Sequence, residues 1–226
     1  SCWQMLPLTP TGYGDSPYQS CSTFAGNHYL IDLDLLVEEG LLKKSELKRI
    51  NWSDDPTRVN FGHLYNHRLD VLRLAWQRFS RREDLDAFCH RNDSWIWDFA
   101  MFMALKESNG GKPWYQWEDP LKFRDDAALT DAWYELEAEI RFYCFIQYVF
   151  HSQWEALRDY AHQNGVQIIG EDGWMEVTPS ASNCQTVELN PRGQEAVRLQ
   201  LPENAWYYEV QDLDRLVAAG DYEYCY

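Results

Sequence analysis

The stretch Trp3-Gln4-Met5-Leu6-Pro7-Leu8-Thr9-Pro10-Thr11-Gly12-Tyr13-Gly14-Asp15-Ser16-Pro17-Tyr18-Gln19-Ser20 decides how the rest of the chain is read. Its opening, residues 2–8, is short, apolar and bounded by Pro7 and Pro10, which predicts a buried strand. A loop must follow. Residues 9–28 hold Gly12, Gly14, Asp15, Ser16, Pro17, Gly26 and Asn27, and so many turn formers forbid a long regular element. Structureless loops beyond about 12–15 residues are uncommon in compact domains and usually carry function.

Outward from this loop the pattern turns helical. Short helices are expected from Asp34 to Leu42, ending near Gly40, and around Ser45–Ile50, with Ser45 as the cap of the second. Leu69, Leu72, Ala75, Trp76 and Phe79 recur at three- and four-residue steps between Arg68 and Phe79, as do Leu85, Phe88, Trp95, Phe99, Phe102 and Met103 further on. The run Asn109-Gly110-Gly111-Lys112-Pro113 breaks the chain. The strongest helical signal is residues 127–163, where Leu129, Ala132, Trp133, Leu136, Ile140, Tyr143, Gln147, Phe150, Trp154, Leu157 and Ala161 keep a period near 3.6. Gly165 ends it, and Val166-Gln167-Ile168-Ile169-Gly170 reads as a second buried strand. Two apolar strands joined by a large helical stretch predict a βαβ-type unit of an α/β sheet or barrel. Beyond Gly170 short strands are expected at 175–178, 184–189, 196–201 and 206–210, so residues 171–226 form a β-rich segment.

Composition narrows the function. Lys and Arg number 20 against 36 Asp and Glu, and a formal charge of -16 opposes the phosphate backbone that nucleic-acid binders must neutralise, so no nucleic-acid partner is expected. No apolar run reaches the roughly 20 residues that span a bilayer, and no signal-peptide pattern opens the chain, so no membrane is expected. The six cysteines are scattered without a Cys-x-x-Cys pair, which reads as free thiols in a reducing cytoplasm. His63 and His67 share a helix face at i, i+4 but have no acidic or thiol partner at metal spacing, so neither metal nor cofactor is expected. Eleven Trp, fourteen Tyr and ten Phe offer flat C–H-compatible faces and polar tips suited to sugars, but on composition alone a ring-filled helical core is the favoured reading.

The loop stretch resembles the signature of the amylomaltases, a family of 4-α-glucanotransferases. The similarity continues through Phe24-Ala25-Gly26-Asn27, Tyr29-Leu30-Ile31-Asp32-Leu33, Phe102-Met103-Ala104-Leu105-Lys106, Gly110-Gly111-Lys112-Pro113-Trp114 and Ile168-Ile169-Gly170, over roughly residues 1–170. The resemblance implies an incomplete (β/α)8 TIM-barrel fragment dominated by a helical insertion, followed by the β-rich residues 171–226, which have no family match. It implies α-1,4-glucans and maltooligosaccharides as partners. It also implies that Ser16 and Tyr18 line the subsite of the reacting glucose, while Tyr13 and Tyr65 form an outer glucan-binding surface. Asp15 lies in the same loop, where a turn-stabilising role competes with sugar contact; for Tyr65, ordinary packing is the competing role.

The family is retaining, and such chemistry needs a nucleophilic carboxylate and an acid/base carboxylate about 5–5.5 Å apart. These acids lie in motifs of the kind Arg-Ile-Asp-His-Phe-Arg, Glu-Asp-Leu-Gly and Thr-His-Asp-Asn, none of which occurs in this sequence. The pairs Asp32/Asp34, Glu38/Glu39, Asp54/Asp55 and Glu171/Asp172 read as caps or solvated faces rather than substitutes. The chain by itself is therefore expected to be inactive. Three functions compete: a glucanotransferase by family, a non-catalytic glucan-binding fragment, and a helical interaction module whose rings only fill a core.

Overall fold

The apolar repeat after Asp125 is realised as one helix, α7, running Asp126–Gln163 over 38 residues in the computed structural model. The structure describes residues 1–12, 15–16, 20–22, 24–55 and 57–170, with strands at 175–179, 184–189 and 197–202. The Asp125 carboxylate opens α7 by accepting from the N–H groups of Ala127 and Ala128 at 3.1 and 3.0 Å. Gly165, at φ 71, closes it in the left-handed conformation that a side chain would resist. Ahead of it come β1 (Cys2–Met5), α1 (Leu33–Glu38), α2 (Lys44–Leu47), α3 (Phe61–Arg78), α4 (Arg82–Arg91), α5 (Ile96–Ser108) and α6 (Asp119–Lys122). Single 3-10 turns lie at His28–Leu30 and Trp114–Gln116. After α7 follow β2 (Gln167–Gly170), β3 (Met175–Pro179), β4 (Cys184–Leu189) and β5 (Val197–Pro202).

Two compact units divide these elements, and α5 and α7 contribute residues to both. The first holds Ser1–Trp3, Gly26–Ala100 and Ala138–Ile168. Its core is a row of rings on one face of α7, with Phe145, Tyr148 and His151 spaced three apart. Trp76 of α3 and Phe79, the residue that follows the helix, meet Phe145 at centroid distances of 5.3 and 4.9 Å. Phe88 of α4 meets Tyr148 and His151 at 5.8 and 5.5 Å, and Trp95 meets His151 at 5.8 Å. Tilted ring pairs of this kind contribute about 0.5–1.5 kcal/mol each beyond burial. Much of the aromatic content thus goes into the core.

The second unit holds Gln4–Ala25, Met101–Glu137 and Ile169–Tyr226. Trp114 is fully buried there, and Phe102 stacks obliquely on Trp117 at 5.5 Å. Gly110 and Gly111, both at positive φ, stop α5 where the sequence places a break, with Gly111 donating to the Lys106 carbonyl at 2.8 Å. In the same unit β3, β4 and β5 form an antiparallel meander in which Val177 pairs with Val187 and Val187 with Leu199. The strand expected at 206–210 lies outside the described residues.

Several local expectations are corrected. The first strand spans only Cys2–Met5, because Pro7 offers no N–H to a ladder, and it is exposed rather than buried, with Trp3 at 44%. Among the described residues β1 pairs with β2 alone, and a two-stranded sheet leaves its faces open. Helix α3 starts seven residues before Arg68, at Phe61, since the Asn60 side chain accepts from the His63 N–H at 3.2 Å. The apolar face expected from Leu85 to Met103 is cut into α4 and α5 at Asn92, whose side-chain amide turns back to the Phe88 carbonyl at 2.9 Å. Ser45 does not cap α2: Lys43 holds that position, and its N–H donates to the Glu46 carboxylate at 2.9 Å. Leu157 keeps the α7 period yet is 44% exposed. The described chain is mostly helical, with small sheets.

Candidate functional site

In the second unit the loop that opens the chain is shaped by its own short polar side chains. Asp15 sits at φ 56, a left-handed conformation that Asp tolerates better than most residues, and its N–H donates to the Gly12 carbonyl at 3.2 Å. Asp15 therefore makes a turn, and Ser16 beside it is half-buried. Tyr13 and Tyr18 lie outside the described residues. Further along, the Ser20 hydroxyl donates to the Ser22 carbonyl at 2.7 Å, and the buried Ser22 hydroxyl accepts from the N–H groups of Phe24 and Ala25 at 3.3 and 3.2 Å. Burial pushes the Cys21 thiol up to about 11 against the opposing charge of Lys106, so it is not a thiolate nucleophile at neutral pH.

In the first unit, residues 26–32 are held by main-chain grips from two helices. The buried Gln147 of α7 accepts from the Gly26 N–H at 2.7 Å and donates to the Gly26 carbonyl at 3.1 Å. Six residues on, Gln153 repeats the pattern at Asp32, at 2.7 and 3.0 Å. A side chain on Gly26 is excluded, since a Cβ there would lie 1.9 Å from the Phe150 ring. From α3 the buried Arg68 donates to the carbonyls of His28 and Tyr29 at 3.2 and 2.9 Å and also to that of Ile31. Burial, then the Arg68 charge, lowers His28 to about 4, so its ring is neutral at pH 7. Burial lowers Arg68 itself to about 10, against the raising influence of Asp32 and Tyr29, which leaves it charged.

Tyr65 lies one helical turn beyond Phe61 on α3 and is 77% exposed. Packing is therefore not its role. Phe61, also exposed, approaches Tyr29 at a ring distance of 6.4 Å. The loop before α3 is tied down locally: Trp52 donates to the Leu47 carbonyl at 3.2 Å, and an imidazole nitrogen of His63 lies 2.5 Å from the Asn51 carbonyl. Asp54 accepts from Asn51 at 2.6 Å, and Asp55 accepts from the Thr57 N–H and hydroxyl at 2.8 and 2.7 Å. Asp32 caps α1, accepting from Asp34 and Leu35 at 2.8 and 3.3 Å. These carboxylates serve turns and caps. Among the described residues no group of three or more His, Cys, Asp or Glu is placed to hold a metal ion.

The structure thus sets Asp15 and Ser16 side by side in one unit and places Tyr65 in the other. Sequence reasoning missed the three grips. Gln147 carried a signal, a polar residue in phase with the apolar stripe of α7, where a buried amide must find partners. Arg68 carried the same signal on α3.

A family model described as 4-alpha-glucanotransferase matches residues 1–183. The chain is 44% identical over 179 residues to the 4-alpha-glucanotransferase of Thermus thermophilus, covering 75% of this chain and 34% of that protein. With the 4-alpha-glucanotransferase of Clostridium butyricum it shares 40% identity over 171 residues, covering 75% and 35%. The alignment with the Synechocystis 4-alpha-glucanotransferase, at 32% identity, covers 97% of this chain and 47% of that protein. Among solved structures, an amylomaltase from Streptococcus agalactiae in complex with acarbose matches with a TM-score of 0.71 at 31% identity, covering 96% of this chain and 48% of that one. This chain belongs to the 4-alpha-glucanotransferase family, and it spans between a third and a half of the length of these relatives. No helix among the described residues is long and apolar enough to cross a membrane.

Proposed function

We propose that this chain is the glucan-binding front part of a 4-α-glucanotransferase that moves α-1,4-glucan segments to a 4-hydroxyl acceptor by a retaining mechanism. In this reading residues 1–170 are the early part of a (β/α)8 barrel with its helical insertion, and residues 171–226 are a β-rich segment of unassigned role. The partners are α-1,4-glucans and maltooligosaccharides, not nucleic acid or membrane, and the setting is cytoplasmic. The observation that carries the reading is Tyr65, a large ring with a polar tip left 77% exposed on a rigid helix. A ring presented in that way offers a face on which a pyranose can stack. In this reading Ser16 and Tyr18 are assigned to the subsite of the reacting glucose, Tyr13 and Tyr65 each to outer glucan contact, and Asp15 to shaping the loop. The family relationship supports the substrate class, as does the acarbose in the name of the related amylomaltase.

The motifs that carry the nucleophile and the acid/base in this family are absent from the sequence, so binding without turnover is the behaviour assigned to the chain alone. The test is to titrate maltoheptaose into the chain by calorimetry and, separately, to incubate it with maltotriose and look for glucose. Binding without glucose supports the reading. Glucose above a buffer blank overturns the assignment of inactivity, and an absence of binding at tens of millimolar sugar leaves the helical interaction module as the better account.

A further inference from the structure

Asn-Gly occurs twice in the sequence, as Asn109-Gly110 and Asn164-Gly165, and each pair stands just past the end of a helix, α5 or α7. In both, the asparagine side-chain amide turns back to donate to the carbonyl four residues earlier, that of Leu105 or Tyr160, at 2.8 Å. Both glycines have a positive φ, 68 and 71, and their N–H groups donate to the carbonyls of Glu107 and His162 at 2.9 and 3.0 Å. The next N–H closes each cap, Gly111 on the Lys106 carbonyl at 2.8 Å and Val166 on that of Ala161 at 2.9 Å. Both glycines are exposed, and nothing lies within 4 Å of where a Cβ would stand. Helix α4 ends on Asn92 in the same side-chain bond, to the Phe88 carbonyl at 2.9 Å, but the residue after it is Asp93.

We propose that Asn109 and Asn164 are sites of spontaneous deamidation, each held back by the cap to which it belongs. The glycine nitrogen attacks the asparagine Cγ, the new C–N bond closes a succinimide ring, and the side-chain nitrogen leaves as ammonia, carrying the proton that the glycine nitrogen gives up. Water then opens the ring at either carbonyl. The product is aspartate or, where the main chain is rerouted through the former side chain, isoaspartate. A following glycine favours the step because no Cβ shields its nitrogen. The cap opposes it, since the attacking N–H and the asparagine amide are both bound to helix carbonyls and must let go together, so reaction runs through fraying of the last turn. Each product removes a donor from Leu105 or Tyr160 and sets a negative charge at the negative end of a helix. The ends of α5 and α7 are thereby loosened for good. Asn164, which is exposed, reacts ahead of Asn109, which is half-buried and whose amide also reaches the Ser108 hydroxyl at 3.5 Å.

The test ages the intact chain in warm, mildly alkaline buffer, in parallel with a sample unfolded in guanidinium chloride, and maps peptides by mass spectrometry at intervals. The expected result is acid in place of amide at positions 109 and 164 of the folded chain, sooner at 164, with both conversions several-fold faster in the unfolded sample. Asn92, which shares the side-chain bond but lacks the glycine, should remain an amide throughout. The midpoint of thermal unfolding should fall by roughly 2–4 °C as the folded sample ages. Asn109→Asp combined with Asn164→Asp should show that lower midpoint from the start. If both asparagines stay amides in the folded chain while the unfolded sample converts, they are not sites of modification. Conversion as fast in the folded as in the unfolded chain removes the role of the cap, and conversion of Asn92 at the same rate removes that of the glycine; the unmodified chain decides all three even if a variant does not fold.

Discussion

Gln147 and Gly26, 121 positions apart, exchange two hydrogen bonds in which one side-chain amide satisfies both main-chain groups of a single residue. Replacing Gln147 by Leu keeps the volume but leaves a buried N–H and C=O unpaired, each worth about 1–3 kcal/mol. The expected loss is about 2–4 kcal/mol in urea unfolding. Gln153→Leu, at the more exposed repeat of the grip, should cost less than half as much; equal costs would show that burial does not set the difference.

Gly26→Ala drives a methyl group into the Phe150 ring and should destabilise by about 1–3 kcal/mol or more. Phe150→Ala opens space at its own cost of about 3–5 kcal/mol. The double variant should be more stable than the sum of the two single effects by at least ~1 kcal/mol, because the clash vanishes with the ring. Strict additivity would mean that the loop moves aside instead.

Two groups contribute in separate windows on the acid side of the stability curve. His28 titrates at about 4 when folded and near 6.5 when unfolded, so below 6.5 the unfolded chain takes up a proton that the folded chain refuses. Stability should fall as pH drops from 6.5 towards 4, with a slope of at most about 1.4 kcal/mol per pH unit from this one proton. Glu46, held near 2 by its hydrogen bonds from Arg78 and from the Lys43 N–H, contributes fully above 4.5 and loses its contribution between 4.5 and 2. Unfolding followed at a series of pH values should show His28→Asn flattening the upper window and Glu46→Gln the lower one. The reverse assignment would refute both.

Tyr65→Ala should change stability by less than about 0.5 kcal/mol, since the ring is exposed. Stacking of about 0.5–1.5 kcal/mol per ring predicts that Tyr13→Ala with Tyr65→Ala weakens maltooligosaccharide binding several-fold from a millimolar starting point. Asp54→Asn and Asp55→Asn should leave it unchanged, because those carboxylates face Asn51 and Thr57. Ligand-observed NMR on these variants distinguishes an outer sugar surface from idle rings.

The helices were legible because their signal is periodic and local. Residues 127–163 and the Asn109–Pro113 break stand within a residue or two of where the chain puts them. The family was legible from the loop stretch, whose glycines and prolines leave few alternative shapes. Burial of the first strand was misread, since apolar content states what a strand can bury and not whether a neighbour covers it. The grips of Gln147, Gln153 and Arg68 were hidden for a different reason: each joins residues 37 to 121 positions apart, and no window of sequence contains both ends. The family match runs through residue 183 and one alignment covers 97% of the chain, so similarity extends past Gly170, where motif reading finds none.

All three of those grips hydrogen-bond to peptide groups of the segment they hold. The path of residues 26–32 is therefore written elsewhere in the polypeptide, which separates its shape from its surface chemistry. With Gly26 kept for Phe150, Asn27 for its cap on Tyr29, Tyr29 for its ring contacts with His28 and Phe61, and Asp32 for its cap on α1, the exposed side chain at 30 becomes an interchangeable part. A library randomised at position 30 should retain the backbone course while presenting new surfaces, so this position is a ready place to alter recognition without redesigning the helices beneath it.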